Sequence, residues 1–328
     1  MFINRLSVKR HVLLLIAIAV TSVCAPLLQA KDSPAFDPGL ASFSVMVDKK
    51  PLRASTNMRT VMPGKTVSIQ FTQQKLGEYS ASLGGQNLKL SAAGHLAWTA
   101  PAKPGYYPIR LVRNKDKAQI ALQMFVLRPA NQIVNGKLNG YQIGSYPSAL
   151  KGLETYQPPK GFIEVTPELE NLFVSPHFKL GQFLCKQQGG YPKYLLLHTG
   201  LLEKLELLLR TVNAKGIRTD SFVVMSGYRT PYYNKAIGNV TNSRHIYGGA
   251  ADIFIDVNPV NDYMDDINHD GAVNIKDAEY LYAIADKLVS HSKHPELMGG
   301  VGLYDKNSAH GPFVHVDVRG TPARWGHK

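Results

Sequence analysis

Short segments in which apolar and polar residues alternate recur along residues 43–127, and they constrain the N-terminal part of the chain more than any other feature. Turn signals such as Pro63-Gly64, Gly84-Gly85 and Pro104-Gly105 separate them. Regularly spaced strands of this kind favour two packed sheets, so we predict an all-β sandwich over residues 31–130. The segments are, in chain order, "FSVMV", "TVSIQFT", "LKLSA", "HLAWTA", "YYPIRLV" and "QIALQMFVL".

The last of these strands have a more specific pattern. In "GHLAWTAPAKPGYYPIRLV" a tryptophan precedes a Pro-Gly turn and a tyrosine-bearing strand. This order resembles the late strands of bacterial immunoglobulin-like modules. The resemblance implies an immunoglobulin-like fold, and the region shows no cluster of His, Asp, Glu or Cys. We therefore expect it to serve targeting or spacing rather than chemistry.

The pattern changes after residue 130. Residues 131–174 are rich in Pro, Gly, Asn and Tyr, which predicts an extended linker. Helical periodicity then appears in "YLLLHTGLLEKLELLLRTVNAKG", where leucines recur at three- and four-residue spacing and Gly216 can end the helix. The apolar segment "DSFVVMS" follows as a strand. A helix beside a strand favours an α+β domain with a small antiparallel sheet over residues 175–328.

The first 30 residues have the order of a secretory signal peptide. Basic residues precede the apolar run 12–20, and small residues continue to Ala30, after which we predict cleavage. Lipidation at Cys24 is the alternative, although it calls for a small residue where Val23 stands. Cleavage leaves Cys185 as the one thiol, with no internal disulfide. We expect export to the periplasm or cell envelope, with no transmembrane segment in the mature chain.

The charge of the chain is strongly positive. The formal net charge is +13, and removal of residues 1–30 leaves 34 Lys and Arg against 24 Asp and Glu, a net charge of +10. In an exported protein this favours an anionic partner such as a cell-wall polymer, with a generally basic surface as the simpler reading. No basic cluster interleaved with aromatic residues indicates a nucleic-acid partner.

Two segments place histidine and aspartate on buried-looking strands. His245 and Asp252 are separated by six residues in "RHIYGGAAD", and in "FVHVDV" the alternation puts His315 and Asp317 on one face. A buried carboxylate needs a partner, which an arginine or a metal can supply. Two imidazoles and one carboxylate with room for water are the usual ligands of a catalytic zinc ion.

"SGYR", "SRHIYGGAAD" and "VHVDV", in this order, resemble the M15 family of zinc peptidases, the D-alanyl-D-alanine carboxypeptidases and related peptidoglycan peptidases. The resemblance covers roughly residues 175–325. It implies hydrolysis of peptide bonds in peptidoglycan stem peptides, with Arg229 holding the scissile carbonyl or a substrate carboxylate. It also implies a substrate pocket lined by Ser243 and Tyr228. The zinc ligands that it implies are His245, Asp252 and His315.

The general base departs from the family pattern. Many members carry a glutamate three residues before the last histidine, and others carry a histidine two before it. Pro312 and Phe313 occupy these positions here, and neither can take a proton. Asp317 is one candidate base, although it can equally orient a zinc ligand. His310 is the other candidate, in a loop that can fold over the metal. Without a base, the chain would be a non-catalytic cell-wall binding protein on a peptidase fold.

A second cation motif lies between Asp252 and His315. The stretch "DINHDGAVNIKD" at residues 266–277 places oxygen donors at alternating positions around Gly271, as a calcium ion requires. The loop resembles that of dockerin modules, which carry two such loops where this chain has one. We predict a structural calcium site, with a surface turn that binds nothing and calcium-dependent assembly as alternatives. Its ligands would be Asp266, Asn268, Asp270, the Ala272 carbonyl, Asn274 and Asp277.

Overall fold

A computed structural model describes residues 35–72, 77–290 and 297–326. The predicted signal peptide, residues 1–30, lies outside these ranges. Among the described residues, no helix combines the length and the apolar character that crossing a membrane requires.

The strands are β1 (Val45–Val47), β2 (Lys50–Pro51), β3 (Thr56–Val61), β4 (Thr66–Phe71), β5 (Tyr79–Leu83), β6 (Gln86–Leu88), β7 (His95–Thr99), β8 (Gly105–Arg113), β9 (Gln119–Val126), β10 (Arg128–Pro129), β11 (Lys137–Leu138), β12 (Tyr141–Gln142), β13 (Gly161–Val165), β14 (Lys193–Leu195), β15 (Val223–Ser226), β16 (Ala250–Phe254), β17 (Gly300–Tyr304), β18 (Phe313–Asp317) and β19 (Ala323–Trp325).

Helices are few among the described residues. The α-helices are α1 (Thr199–Ala214), α2 (Pro231–Ala236) and α3 (Ile275–Ser290). Single turns of 3-10 helix occur at Ala130–Gln132, Leu150–Gly152, Glu154–Tyr156, Pro167–Leu169, Leu180–Phe183 and Arg244–Tyr247.

The N-terminal part is β-rich, as its alternating segments predict. One sheet has the order β2-β1-β4-β7 and the other β3-β9-β8-β5-β6, in which β3 and β9 run parallel. Ile69 of β4, Trp98 of β7 and Leu111 of β8 belong to one apolar core that both sheets share. Burial of these alternate side chains stabilises the pair of sheets. The likeness to immunoglobulin modules remains a prediction.

The segment predicted as a linker contains short elements. Strands β11 and β12 pair with each other, and β13 pairs with β10 and β14. Leu138, Ile143 and Phe162 are fully buried in the same core as the helices. This segment therefore contributes to packing, while the predicted domain boundaries remain predictions.

Helix α1 follows its sequence pattern with one difference at the start. His198 caps it, since its Nδ1 accepts a hydrogen bond from the Gly200 amide at 3.1 Å. Its leucines face the core, and Gly216 follows the helix at φ +88°. Leu195, within the predicted helical run, is instead in β14, because it pairs with Ile163.

The sheet that carries the candidate ligands has the order β15-β16-β18-β17-β19. Its strands are antiparallel except for the parallel pair β17–β19. Asp252 of β16 lies directly opposite His315 of β18, and Ser226 of β15 lies opposite Asp252. Helix α3 packs against β17 and β18 and against α1. The register alone brings two of the three predicted ligands side by side.

Candidate active site

Three buried side chains converge at the centre of this sheet. Nε2 of His245 lies 3.3 Å from Oδ1 of Asp252 and 3.3 Å from Nδ1 of His315. Nδ1 of His315 lies 2.8 Å from the same Oδ1. All three residues are less than 7 % exposed. They form the one group of three or more His, Cys, Asp or Glu side chains in the described part of the chain that could hold a metal ion.

His245 is placed by a tight turn. It lies in the 3-10 turn Arg244–Tyr247, which ends at Gly248 with φ +66°. A side chain is disfavoured at this angle, and a Cβ atom there would lie 2.3 Å from the Leu196 carbonyl oxygen. Gly248 thus lets the chain pass from the turn into β16, so that His245 and Asp252 face the same point.

A backbone carbonyl fixes the tautomer of His245, and carboxylates lie at both nitrogens of His315. Nδ1 of His245 lies 2.6 Å from the Gly227 carbonyl oxygen, and because a carbonyl has no hydrogen to give, this nitrogen donates and Nε2 keeps a lone pair that points at His315 and Asp252. Nδ1 of His315 lies 2.8 Å from Oδ1 of Asp252, and its Nε2 lies 3.2 Å from Oδ2 of Asp317. Burial lowers the pKa of His315, but the two carboxylates more than offset it and the pKa is raised, so a metal ion would take the place of the proton on Nδ1.

The donor set fits a zinc ion. Neighbouring ligands of a tetrahedral zinc with bonds of 2.0–2.1 Å are separated by about 3.3 Å. The three separations found are 3.3, 3.3 and 2.8 Å. A metal ion between these three atoms would contact all of them, and two nitrogens with one carboxylate oxygen suit zinc.

Burial and neighbouring charges set the ionisation of the ligands. Burial lowers the pKa of His245, which favours the neutral imidazole that a metal needs. Burial alone would raise the pKa of Asp252, but His245 and His315 hold it well below its usual range. Asp252 is thus a carboxylate at neutral pH, as a ligand must be.

Asp317 lies behind His315, where it has no exposed surface. Its carboxylate accepts hydrogen bonds from Nε of Arg319 at 2.9 Å and from the Gly300 amide at 2.8 Å, besides facing His315. Although burial would raise the pKa of Asp317, His315 and Arg319 keep it well below its usual range. A carboxylate so fully bonded favours the orienting role over that of a base.

Arg229 contacts a ligand as well as the cleft. Its Nη2 lies 2.7 Å from Oδ2 of Asp252, and its Nε donates to Ser226 Oγ at 2.8 Å. The guanidinium therefore holds the Asp252 carboxylate with Oδ1 turned to the histidines. Arg229 also lines the cleft described next, which is consistent with the predicted contact between this side chain and substrate.

A cleft of about 730 Å³ opens above the three ligands, a volume typical of small-molecule sites. Ser243 and His310 line it, as their predicted roles require. Tyr228 does not. It is 1 % exposed, and its hydroxyl lies 2.9 Å from that of Tyr146 behind the cleft. The predicted contact of Tyr228 with substrate is therefore not supported.

Aromatic side chains that the sequence pattern does not single out form one wall. The Trp325 ring lies 5.0 Å from that of His315, and its Nε1 donates to the Tyr304 hydroxyl at 2.8 Å. Phe313 stacks on Tyr304 at 4.5 Å. Trp325 lies on Gly302, where a Cβ atom would be 2.3 Å from the indole. A short C-terminal strand has too little periodicity to reveal such a residue from sequence.

The candidate calcium loop lies apart from this cleft, and its oxygens are bonded within the loop. Asp277 is fully buried and accepts the amides of Ile267 and Asn274 at 3.0 and 2.9 Å. Asp266 accepts the amides of Asp270 and Gly271 at 3.1 and 2.8 Å. The remaining predicted ligands also accept hydrogen bonds from groups of the same loop; they are Asn268, Asp270, Ala272 and Asn274. Calcium binding remains a prediction.

Comparisons with known proteins bear on the part of the chain that holds this cleft. No curated protein matches the chain. Residues 182–268 match the model of a family described as Peptidase M15. The matched range includes Arg229, Ser243, His245 and Asp252 and ends before His315. The match supports an M15 peptidase family for this region, which indicates a metallopeptidase among the hydrolases.

Proposed function

We propose that the protein is an exported zinc peptidase that hydrolyses peptide bonds in peptidoglycan stem peptides. The observation that carries the proposal is the convergence of three possible ligand atoms, from His245, Asp252 and His315, at the base of an open cleft. The family match over residues 182–268 supports the reaction class.

Zinc would be held by Nε2 of His245, Oδ1 of Asp252 and Nδ1 of His315. When bound, it supplies Lewis-acid activation of water and of a carbonyl group. Arg229 fixes Asp252 and presents positive charge to the cleft, where it can stabilise the charge that develops on the scissile carbonyl oxygen.

Proton transfer falls to His310 in this proposal, since Asp317 is buried and fully bonded. Nδ1 of His310 donates to the Gly311 carbonyl oxygen at 2.8 Å, so Nε2 carries the lone pair. Nε2 accepts a hydrogen bond from Asn307 Nδ2 at 2.8 Å, which water can replace at this partly exposed position. His310 can thus take a proton from the attacking water and return it to the leaving amine.

The proposal of a cell-wall substrate rests on the charge of the chain, and the proposal of export rests on its N-terminal sequence. The basic chain favours an anionic polymer, and residues 1–30 have the order of an export signal. Fractionation of cells that produce the full chain should place the protein in the periplasm or cell envelope. Recovery with the cytoplasmic fraction would count against export.

The direct test uses purified cell wall. Wild-type protein with zinc should release peptides that mass spectrometry identifies, and the products will show which bond is cut. Asp252→Ala should lose both zinc binding and release, whereas Asp220→Ala, which removes an exposed acid, should keep both. Peptide release by zinc-free Asp252→Ala would overturn the proposal.

A non-catalytic cell-wall binding protein is the second candidate. It is favoured by Pro312 and Phe313, which stand where related peptidases carry the base, and by the full bonding of Asp317. It predicts that zinc-loaded protein is retained on purified cell wall and releases nothing. Release of peptides would exclude it.

A further inference from the structure

Arg244 is a buried cation in the wall of the cleft, and neither the metal site nor the proposed chemistry uses it. It is 3 % exposed and lines the cleft next to Ser243 and His245. Its guanidinium lies 4.5 Å from the centre of the Tyr156 ring and 5.1 Å from that of Tyr247. The two aromatic rings therefore pack against the guanidinium.

The hydrogen bonds of Arg244 are incomplete. Nη1 donates to the Thr155 carbonyl oxygen, but Nε has no hydrogen-bond partner. No described carboxylate forms an ion pair with it. A buried guanidinium donor without an acceptor is costly, and an acceptor that arrives with a ligand would remove that cost.

The surrounding charge favours an anion at this end of the cleft. Arg229 and Arg319 also line it, while Asp252 is the single acid among the described lining residues. Thr155 links Arg244 to Arg319, because its Oγ1 donates to the Arg319 carbonyl oxygen at 3.1 Å. Arg229 is already paired with Asp252 at 2.7 Å, and Arg319 contacts both carboxylate oxygens of Asp317. Of the three, Arg244 is the one without a carboxylate partner among the described residues.

The sequence makes room for this side chain. A Cβ atom on Gly249 would lie 2.7 Å from Nη2 of Arg244, a separation that real side chains do not adopt. Gly248 is explained by the turn, and Gly249 by the space that the guanidinium occupies. A purely structural arginine needs the same space, so ligand recognition has to be tested directly.

We infer that Arg244 binds a carboxylate of the peptide substrate and so makes the cleft selective for peptides with a free carboxylate near the scissile bond. The substrate class rests on the proposed function. The carboxylate is either the C-terminal one, as a carboxypeptidase requires, or one on a side chain, as an endopeptidase acting inside an acidic peptide would meet.

The test measures binding of short ligands to zinc-loaded, full-length protein by calorimetry. The ligands are N-acetyl-D-alanine, its amide, and the α-amide of N-acetyl-D-glutamate, whose carboxylate is on the side chain. The carboxylate that binds at least about tenfold more tightly than the amide identifies its source, since charge-assisted hydrogen bonds are of that strength. Equal binding of all three ligands would overturn the inference.

Variants assign the effect to Arg244. Arg244→Gln should remove the preference, Arg244→Lys should keep part of it, and Arg110→Gln, which removes an exposed arginine of β8, should leave it unchanged. A carboxylate bound to the metal instead would give Arg244→Gln the affinity of the wild type, and this result too would overturn the inference.

One further measurement observes the wild-type side chain directly. In wild-type protein labelled with ¹⁵N-arginine, the Nε–H resonance of Arg244, assigned from the spectrum of Arg244→Lys, should shift on titration with the carboxylate ligand and not with the amide. A resonance unmoved by both would contradict the inference. Because none of these readouts involves hydrolysis, they can succeed even if no peptide is released from cell wall, and the proposed function would then fail alone.

Discussion

The carboxylate of Asp317 accepts a hydrogen bond from Nε2 of His315 at 3.2 Å, on the side of the ring opposite to Asp252. Together with Asp252 at Nδ1, this contact fixes the orientation of the His315 ring, and Arg319 and the Gly300 amide fix the Asp317 carboxylate in turn. The third ligand is therefore positioned by Asp317, two residues later in β18, and by the partners that hold this carboxylate in the following segment and in β17.

Replacing Asp317 with Asn should weaken zinc binding by about 10- to 100-fold, because the ring of His315 loses its charged acceptor. Competition with a chromophoric chelator measures this affinity. Asp286→Asn is the matched control, since it breaks an ion pair with Arg324 on the surface of α3. An unchanged affinity in folded Asp317→Asn would show that the acceptor does not position the ligand.

Replacing His310 with Ala should lower kcat by about 10²- to 10⁴-fold, which is the range for loss of a general base. Zinc affinity should remain, because His310 is outside the ligand group. Kinetics on a soluble peptide that contains the bond identified in the cell-wall assay would measure kcat. His269→Ala, in the exposed loop, serves as the control. Unaltered kcat in His310→Ala would show that another group, or water, acts as the base.

Local sequence patterns predict part of this site, while tertiary contacts set the rest. The alternation of "FVHVDV" predicts that His315 and Asp317 share a face, and the structure has them so. The register that sets Asp252 opposite His315 depends on pairing of strands whose two residues are 63 positions apart, which no local pattern encodes. The Gly227 carbonyl that selects the tautomer of His245 is likewise a tertiary partner.

The same distinction applies to the fold. Helix α1 shows clear periodicity in the sequence, and its bounds follow from that pattern together with the cap that His198 supplies. The alternation pattern does not predict strand β3, Thr56–Val61, because its adjacent residues Asn57 and Met58 are both buried. The family resemblance implies that Tyr228 lines the cleft, but its ring is buried and its hydroxyl bonds to that of Tyr146, a tertiary contact that the local sequence does not show.

Replacing Gly248 with Ala should destabilise the protein more than replacing Gly84 with Ala. Both glycines have positive φ, +66° and +56°, so each alanine bears a left-handed strain of about 1–2 kcal/mol. A Cβ atom at position 248 also meets the Leu196 carbonyl oxygen at 2.3 Å, while at position 84 nothing lies within 4 Å. Urea unfolding measures the difference. Equal losses for the two variants would contradict the steric argument.

Calcium should raise the melting temperature of the wild-type protein without replacing zinc in activity. The physical reason is that Asp266 and Asp270 place two negative charges in one turn, which a bound cation would neutralise. Asp266→Asn combined with Asp270→Asn should abolish the increase, and Asp262→Ala, in the exposed stretch before the loop, should retain it. Melting curves that coincide with and without calcium would reduce the loop to a surface turn.

The ion pair of His177 with Glu206 should make stability depend on pH. Nδ1 of His177 lies 2.8 Å from the Glu206 carboxylate and Nε2 lies 2.9 Å from the Asp37 carbonyl oxygen, so both nitrogens meet acceptors and the charged ring satisfies them. Burial lowers the pKa of His177, but the hydrogen bond and charge of Glu206 more than offset it, and the pKa is raised.

A histidine whose pKa is raised on folding stabilises the folded state fully below its unfolded pKa of 6.5, and this stabilisation is lost as pH rises through the folded pKa. The wild type should therefore exceed His177→Gln in melting temperature by more at about pH 5.5 than at about pH 9. His95→Gln is a control for the loss of a histidine, because His95 bonds to Ser68 Oγ without a carboxylate. A difference between wild type and His177→Gln that is constant with pH would show that the ring is neutral in the folded protein and that its bond to Glu206 is not an ion pair.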